Sequence, residues 1–158
     1  MAITHIQRSA LLPFSAEQLF EMVADIRAYP SFLPWCDEVE VLKETEEVVE
    51  ARVVAGAAGI SQSFVTRNVM RAPTCIDLGL VEGPFDHFAG RWGFVSLTDA
   101  SVTTESSIVG AKLELDMRFE LARKNPLLRR TFGSLFERAS STLVESFCDR
   151  VQTLYGGS

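Results

Sequence analysis

Two histidines and three cysteines are the residues with the most reactive side chains in this sequence, and their spacing gives catalysis little to stand on. His5 lies near the N-terminus and His87 beside a Gly-Pro-Phe turn, where each reads as an exposed histidine. No Ser-His-Asp order, H-E-x-x-H, Gly-rich phosphate loop or metal-ligand spacing accompanies them. Cys36, Cys75 and Cys148 are odd in number and widely separated, which suits a reduced cytoplasm and neither a disulfide framework nor a zinc site. The chemistry that the residue types do offer is apolar binding. "AYPSFLPWCDEVEV", residues 28–41, sets Tyr29, Phe32, Leu33 and Trp35 around Pro30 and Pro34, which forbid a regular helix or a central strand. "GPFDHFAGRWGF", residues 83–94, adds Phe85, Phe88, Trp92 and Phe94. "ARKNPLLRR", residues 122–130, gathers Arg123, Lys124, Arg129 and Arg130 where a helix begins and its macrodipole disfavours positive charge. A feature unfavourable to its own helix can serve an anionic partner, or these can be ordinary exposed basic residues.

The elements that must position these segments can be read from periodicity. Ile3 to Ala10 reads as a short strand. In "FSAEQLF", Ser15 and Gln18 form a capping box and Phe14 and Leu19 take the hydrophobic-staple positions, which predicts a helix burying Leu19, Phe20, Val23 and Ile26 before Tyr29-Pro30 ends it. Antiparallel strands are then expected over Val39–Glu44, Val48–Ala55, Ser61–Arg71, Cys75–Val81, His87–Leu97 and Val102–Leu121, the last bent or bulged near Gly110, with turns at "ETEE", "GAAG", "APT", "EGP" and "TDAS". In "LELDMRFEL", Leu113, Leu115, Met117, Phe119 and Leu121 take one face, and Glu114, Asp116, Arg118 and Glu120 face water. The inward side of Ser61–Arg71 is open between Phe64 with Asn68 and Val65 with Arg67. From Asn125-Pro126 the period changes, and Leu128, Phe132, Leu135, Phe136, Ala139, Leu143, Phe147, Val151 and Leu154 predict one long amphipathic helix ending at Gly156-Gly157. The order is α+β: a sheet of six or seven strands that only the terminal helix is long enough to cover.

Composition bounds the function. The 158 residues suit one domain (1–158), with 47% hydrophobic and 23% charged residues and eleven Phe against two Tyr and two Trp. A net charge of -6 repels phosphate, so any nucleic-acid contact must come from a local patch; a general DNA binder is not expected. Seven acidic residues between Asp37 and Glu50, with only Lys43 among them, read as a solvated strand face and turn. No signal peptide and no transmembrane span is expected.

"AYPSFLPWCDEVEV", "FVTRNVM", "IDLGLVEGPFDHFAGRWGF" and the closing "ESFCDRVQTLYG", in that order over nearly the whole chain, closely resemble the coenzyme Q-binding START-domain family. This is a branch of the polyketide cyclase and lipid-transport superfamily whose bacterial members are also named ribosome-association toxins. The resemblance implies a helix-grip fold, a curved antiparallel sheet wrapped around the terminal helix with an apolar cavity between them. It implies a non-enzymatic protein that binds ubiquinone or a related isoprenoid lipid, without a covalent cofactor or metal, and delivers it in support of respiration or quinone biosynthesis. The expected location is cytoplasmic and peripheral to the inner membrane. A second implied function is association with the large ribosomal subunit, blocking subunit joining; a third is a polyketide-type cyclase, in which Arg67, Asn68 or Arg91 would orient a reactive chain.

On this reading Tyr29, Phe32, Leu33 and Trp35 roof the cavity, Phe64, Trp92, Phe94, Met117 and Phe119 wall it, and Phe132 and Phe136 floor it. The same aromatic residues can instead simply fill core, and a roof is also core. Arg123, Lys124, Arg129 and Arg130 would meet anionic lipid headgroups or ribosomal RNA phosphates.

Overall fold

The structure, a computed structural model, describes residues 3–57, 59–98 and 108–156. Its elements are β1 (Thr4–Leu12), α1 (Ala16–Ala24), a 3-10 segment (Ile26–Ser31), β2 (Cys36–Glu44), β3 (Val48–Ala57), β4 (Ile60–Arg71), β5 (Cys75–Glu82), β6 (Phe85–Thr98), β7 (Ile108–Leu121), α2 (Pro126–Ser141) and α3 (Leu143–Tyr155). All seven strands form one antiparallel sheet in the order β1-β7-β6-β5-β4-β3-β2, so the first strand pairs with the last. The fold is α+β with the helix-grip arrangement. The helices cover the inner face of the sheet, where Leu113, Leu115, Met117, Phe119 and Leu121 of β7 are all buried.

Local chemistry fixes the ends. Ser15 accepts from the Gln18 backbone N–H and the Gln18 side chain accepts from the Ser15 N–H, the reciprocal cap the spacing predicts. The helix nevertheless stops at Ala24, and Ile26–Ser31 tightens into a 3-10 segment that includes Pro30. Proline has no N–H to continue an α-helical ladder, and the segment closes instead with three-residue bonds, Ala28 N–H to Asp25 O and Phe32 N–H to Tyr29 O at 3.2 Å each.

Three expectations change. The terminal helix is broken at Thr142 (φ -103°, ψ 0°) into α2 and α3. Three consecutive hydroxyls compete for the carbonyls of the preceding turn: Ser140 Oγ donates to Phe136 O at 2.7 Å, Ser141 Oγ to Arg138 O at 3.0 Å, and Thr142 Oγ1 to Arg138 O and Ala139 O at 3.1 Å each. Strand β6 starts at Phe85, with a register shift between Phe85 and His87 that turns both Phe85 and Phe88 inward. Glu120, expected in water, is only 4% exposed. It lies opposite His87 in the ladder, with the His87 ring 3.8 Å away and the Arg123 guanidinium 3.5 Å away.

The kink expected near Gly110 is a second register shift, between Leu97 and Thr98 across from it. A Cβ on Gly110 would run into the Leu12 carbonyl, so the backbones of β1 and β7 meet there at a distance only glycine permits. Gly83 (φ +157°) plays the same part in the "EGP" turn, where a Cβ would come within 2.6 Å of Phe64 Cβ. Residues 99–107, which contain the start expected for the last strand and most of "TDAS", lie outside the described residues, as do Ala58 of "GAAG" and Gly157.

Candidate functional site

A cavity of about 70 Å³ lies between the sheet, the 3-10 segment and the junction of the two terminal helices. Of the residues expected around it, Tyr29 and Trp35 come from the segment over its mouth, Phe64, Trp92 and Met117 from the strands, and Phe136 from α2. The face of β4 that the sequence leaves open is settled by the cavity lining: Phe64, Thr66 and Asn68 border it, while Val65, though equally buried, does not, and Arg67 points out to Glu50 at 3.7 Å. Arg91 likewise faces outward and grips Asp77 at 2.6 Å. Asn68 alone of the three polar candidates faces the cavity.

Five of the expected residues do not line it. Phe94 is drawn away by α1, packing edge-on against Phe20 at 5.5 Å. Phe119 and Phe132 fill space behind Phe136, at 4.7 and 5.7 Å between ring centroids. Leu33 is 1% exposed and belongs to the core under the roof. Phe32 sits on the far side of Phe147 and takes the Arg150 guanidinium over its outer face at 4.8 Å.

The sequence places Phe147 in a helical apolar stripe, and its special position is visible only in three dimensions. Fully buried, it meets Tyr29, Phe32 and Trp92 edge-on at 5.4, 5.3 and 5.1 Å. One side chain thus ties the roof to the sheet. The Tyr29 hydroxyl donates to the Val23 carbonyl, and burial pushes its pKa well above the ordinary phenol value. Cys36, at the other end of the roof, is pushed up to about 11 by burial, then by Asp37.

Two residues of the cavity wall carry a buried polar atom without a partner among the described residues: Asn68, 6% exposed, its Oδ1, and Trp35 its Nε1. Ser140 also borders the cavity, with its hydroxyl proton committed to Phe136 O.

The basic cluster is less uniform than its sequence suggests. Arg123 is tied down, its backbone N–H donating to Asp86 at 3.0 Å and its Nε lying 3.6 Å from Asp86 and 3.5 Å from Glu120. Among the described residues no ion pair joins Lys124, Arg129 or Arg130, and the neighbouring Leu127 is 70% exposed. Asn125 caps the helix, accepting from the Leu128 N–H at 3.0 Å, with no acidic residue in the first turn. A positive, partly apolar end results.

The three cysteines are free. Among the described residues, no group of three or more His, Cys, Asp and Glu could hold a metal ion, and no helix is long and apolar enough to cross a membrane.

Comparison with known proteins narrows this geometry. Residues 12–148 match the family described as polyketide cyclase / dehydrase and lipid transport. The ribosome association toxin RatA of Pseudomonas aeruginosa is 41% identical over 153 residues, covering 97% of this chain and 99% of the relative. The mitochondrial coenzyme Q-binding protein COQ10 of Dictyostelium discoideum is 23% identical over 150 residues, 93% of this chain and 68% of the relative. Among solved structures, the ZhuI aromatase/cyclase of a Streptomyces species superposes with a TM-score of 0.72 at 18% identity, over 99% of both chains, a likeness of fold alone.

Proposed function

The chain belongs to the polyketide cyclase / dehydrase and lipid transport family, and from that membership we propose that it is a non-enzymatic, ribosome-associating regulator that binds the large subunit and blocks subunit joining. The observation that carries the reading is the 41% identity to a relative named for ribosome association, running end to end over both chains. The surface we assign to the contact is the start of α2, where Lys124, Arg129 and Arg130 gather within seven residues of a protein whose net charge is -6. At physiological salt, fields are screened beyond roughly 8 Å, so three local cations can meet phosphates although the whole molecule is acidic.

Sucrose-gradient profiles test this. Overproduction is expected to shift whole ribosomes towards free subunits, and replacing Lys124, Arg129 and Arg130 together by Gln is expected to abolish the shift. Arg123 is kept, because removing it would strip a buried carboxylate of its partner. Unchanged profiles with the intact protein would refute the proposal.

A second reading, carriage of ubiquinone or a related isoprenoid lipid at the inner-membrane surface, is favoured by the apolar cavity and by the coenzyme Q-binding relative. Against it stands size: about 70 Å³ is well below the roughly 300–1,000 Å³ of pockets that take drug-sized ligands, so the roof would have to move. Organic extraction of the purified protein followed by mass spectrometry decides this, and an extract without quinone or other isoprenoid removes the reading. Of Arg67, Asn68 and Arg91, the residues expected to orient a reactive chain, only Asn68 faces inward, and the cyclase reading is set aside.

A further inference from the structure

The two unpartnered atoms in the cavity wall specify more than an apolar lining requires. Asn68 Oδ1 can only accept a hydrogen bond and Trp35 Nε1 can only donate one. Both residues line the same cavity, and among the described residues neither atom finds a partner. Leaving such groups buried and unpaired is costly, and a hydrocarbon or a packed Leu would serve an apolar core better. A hydroxyl carries both functions these atoms call for, a proton to donate to Asn68 and an oxygen to accept from Trp35. A quinone or an ester offers acceptors only.

The rest of the wall says what the hydroxyl is attached to. Tyr29, Trp35, Phe88, Trp92, Phe136 and Phe147 all border the space, so a planar ring would find edge and face contacts on several sides. We propose that the cavity is a site for a phenolic ligand, a ring bearing a hydroxyl of phenol or quinol type, with Asn68 and Trp35 as the pair that recognises the hydroxyl. The proposal rests on reading the cavity as a ligand site, and it is independent of the ribosome contact at α2.

Size sets the conditions of entry. Without a ligand, about 70 Å³ has room for about two waters at a liquid share of about 30 Å³ each. A ring needs about twice that space, since an engineered apolar cavity of about 150 Å³ takes one benzene. The half-buried Leu78 and Phe88 of the sheet and the half-buried Trp35 of the roof are the least enclosed parts of the wall. Ring entry therefore displaces water and shifts the roof, and Trp35 lies where both events are felt.

The chain has only two tryptophans, and both border the cavity, so two indole N–H signals in a proton–nitrogen correlation spectrum report on it, assigned with Trp35→Phe and Trp92→Phe. The full-length protein is titrated with 4-propylphenol, with 4-propylanisole, whose methyl cap removes only the donor, and with 4-propylcyclohexanol, which keeps the hydroxyl and loses the ring. The phenol is expected to bind about tenfold tighter than the anisole and to move the Trp35 indole N–H downfield, because the anisole leaves Asn68 unpaired. In Asn68→Leu the preference is expected to fall to about onefold while anisole binding persists; Asn68→Ala serves if the Leu variant does not fold. Equal binding of phenol and anisole by the wild type overturns the proposal while leaving the cavity a ligand site. A cyclohexanol that binds as tightly as the phenol removes the aromatic half of it. If no probe disturbs either indole signal, the phenolic site and the ligand-site reading fall together, and the ribosome profiles stand untouched.

Discussion

Replacing Phe147 by Ala tests whether one side chain holds the roof to the sheet. The ring is fully buried and touches Tyr29, Phe32 and Trp92 edge-on, so the substitution removes three aromatic pairs and opens a hole in the middle of them. Truncating a buried Phe costs about 3–5 kcal/mol in lost transfer energy and residual cavity. Against a total of about 5–15 kcal/mol for a domain, the variant should fold with little to spare. Phe147→Leu separates the contributions, because it keeps most of the volume and loses the ring pairs, worth about 0.5–1.5 kcal/mol each at best; a cost of about 1–3 kcal/mol is expected. Urea unfolding followed by tryptophan fluorescence reads both numbers. With a slope of about 2 kcal/mol per molar, the Ala variant should unfold about 1.5–2.5 M earlier than the parent and the Leu variant about 0.5–1.5 M earlier. A cost below about 1.5 kcal/mol for Ala, or equal costs for the two variants, would refute the view that Phe147 joins roof to sheet through its ring.

Three further outcomes follow from the geometry. Stability should fall at alkaline pH: the Cys36 thiol, pushed up to about 11, keeps its proton in the folded state at pH values where the unfolded chain has lost it. Its contribution is therefore complete below about pH 8.5 and declines at about 1.4 kcal/mol per pH unit towards pH 11, with the buried Tyr29 adding to the slope above about pH 10. Cys36→Ala should flatten the slope between pH 9 and 10 in thermal melts and leave the steeper part above it. At the acid end, Asp77 is held below the usual carboxylate range, first by its hydrogen bond from Arg91, so its contribution is present above about pH 4 and is lost as pH falls; Arg91→Gln should soften that acid limb. Gly110→Ala should cost about 1–3 kcal/mol, since the new Cβ meets the Leu12 carbonyl; a melt unchanged from the parent would mean that the two strands have room to part there.

The parts legible in the sequence were those governed by short-range rules. Ser15 and Gln18 announce a helix start through one reciprocal pair of hydrogen bonds, and β7 announces its buried face through strict alternation from Leu113 to Leu121. The cavity was legible as a kind of lining and not as a set of residues. Leu33, Phe94, Phe119 and Phe132 are as apolar and as buried as Phe64 and Met117, and which of them face empty space depends on where a helix docks, which no periodicity records. Glu120 misled for a related reason: alternation placed it correctly on the outer face, but its burial comes with Arg123, from beyond the strand. The terminal helix is the instructive failure, because apolar spacing at three and four runs unbroken from Leu128 to Leu154 and conceals the stop at Thr142. The signal that could have found it is the run Ser140-Ser141-Thr142, three hydroxyls that turn back onto the preceding carbonyls where a helix with a continuous apolar stripe would have Ala or Leu. The break also has a place in the site. It falls between Phe136 and Phe147, with Ala139, Ser140 and Leu143 around it in the cavity wall, so the helix gives way at the point where the interior is left unfilled. The residues on either side of the break line the same space as Trp35 and Asn68, so the interruption of the helix and the unfilled interior share one place in the fold.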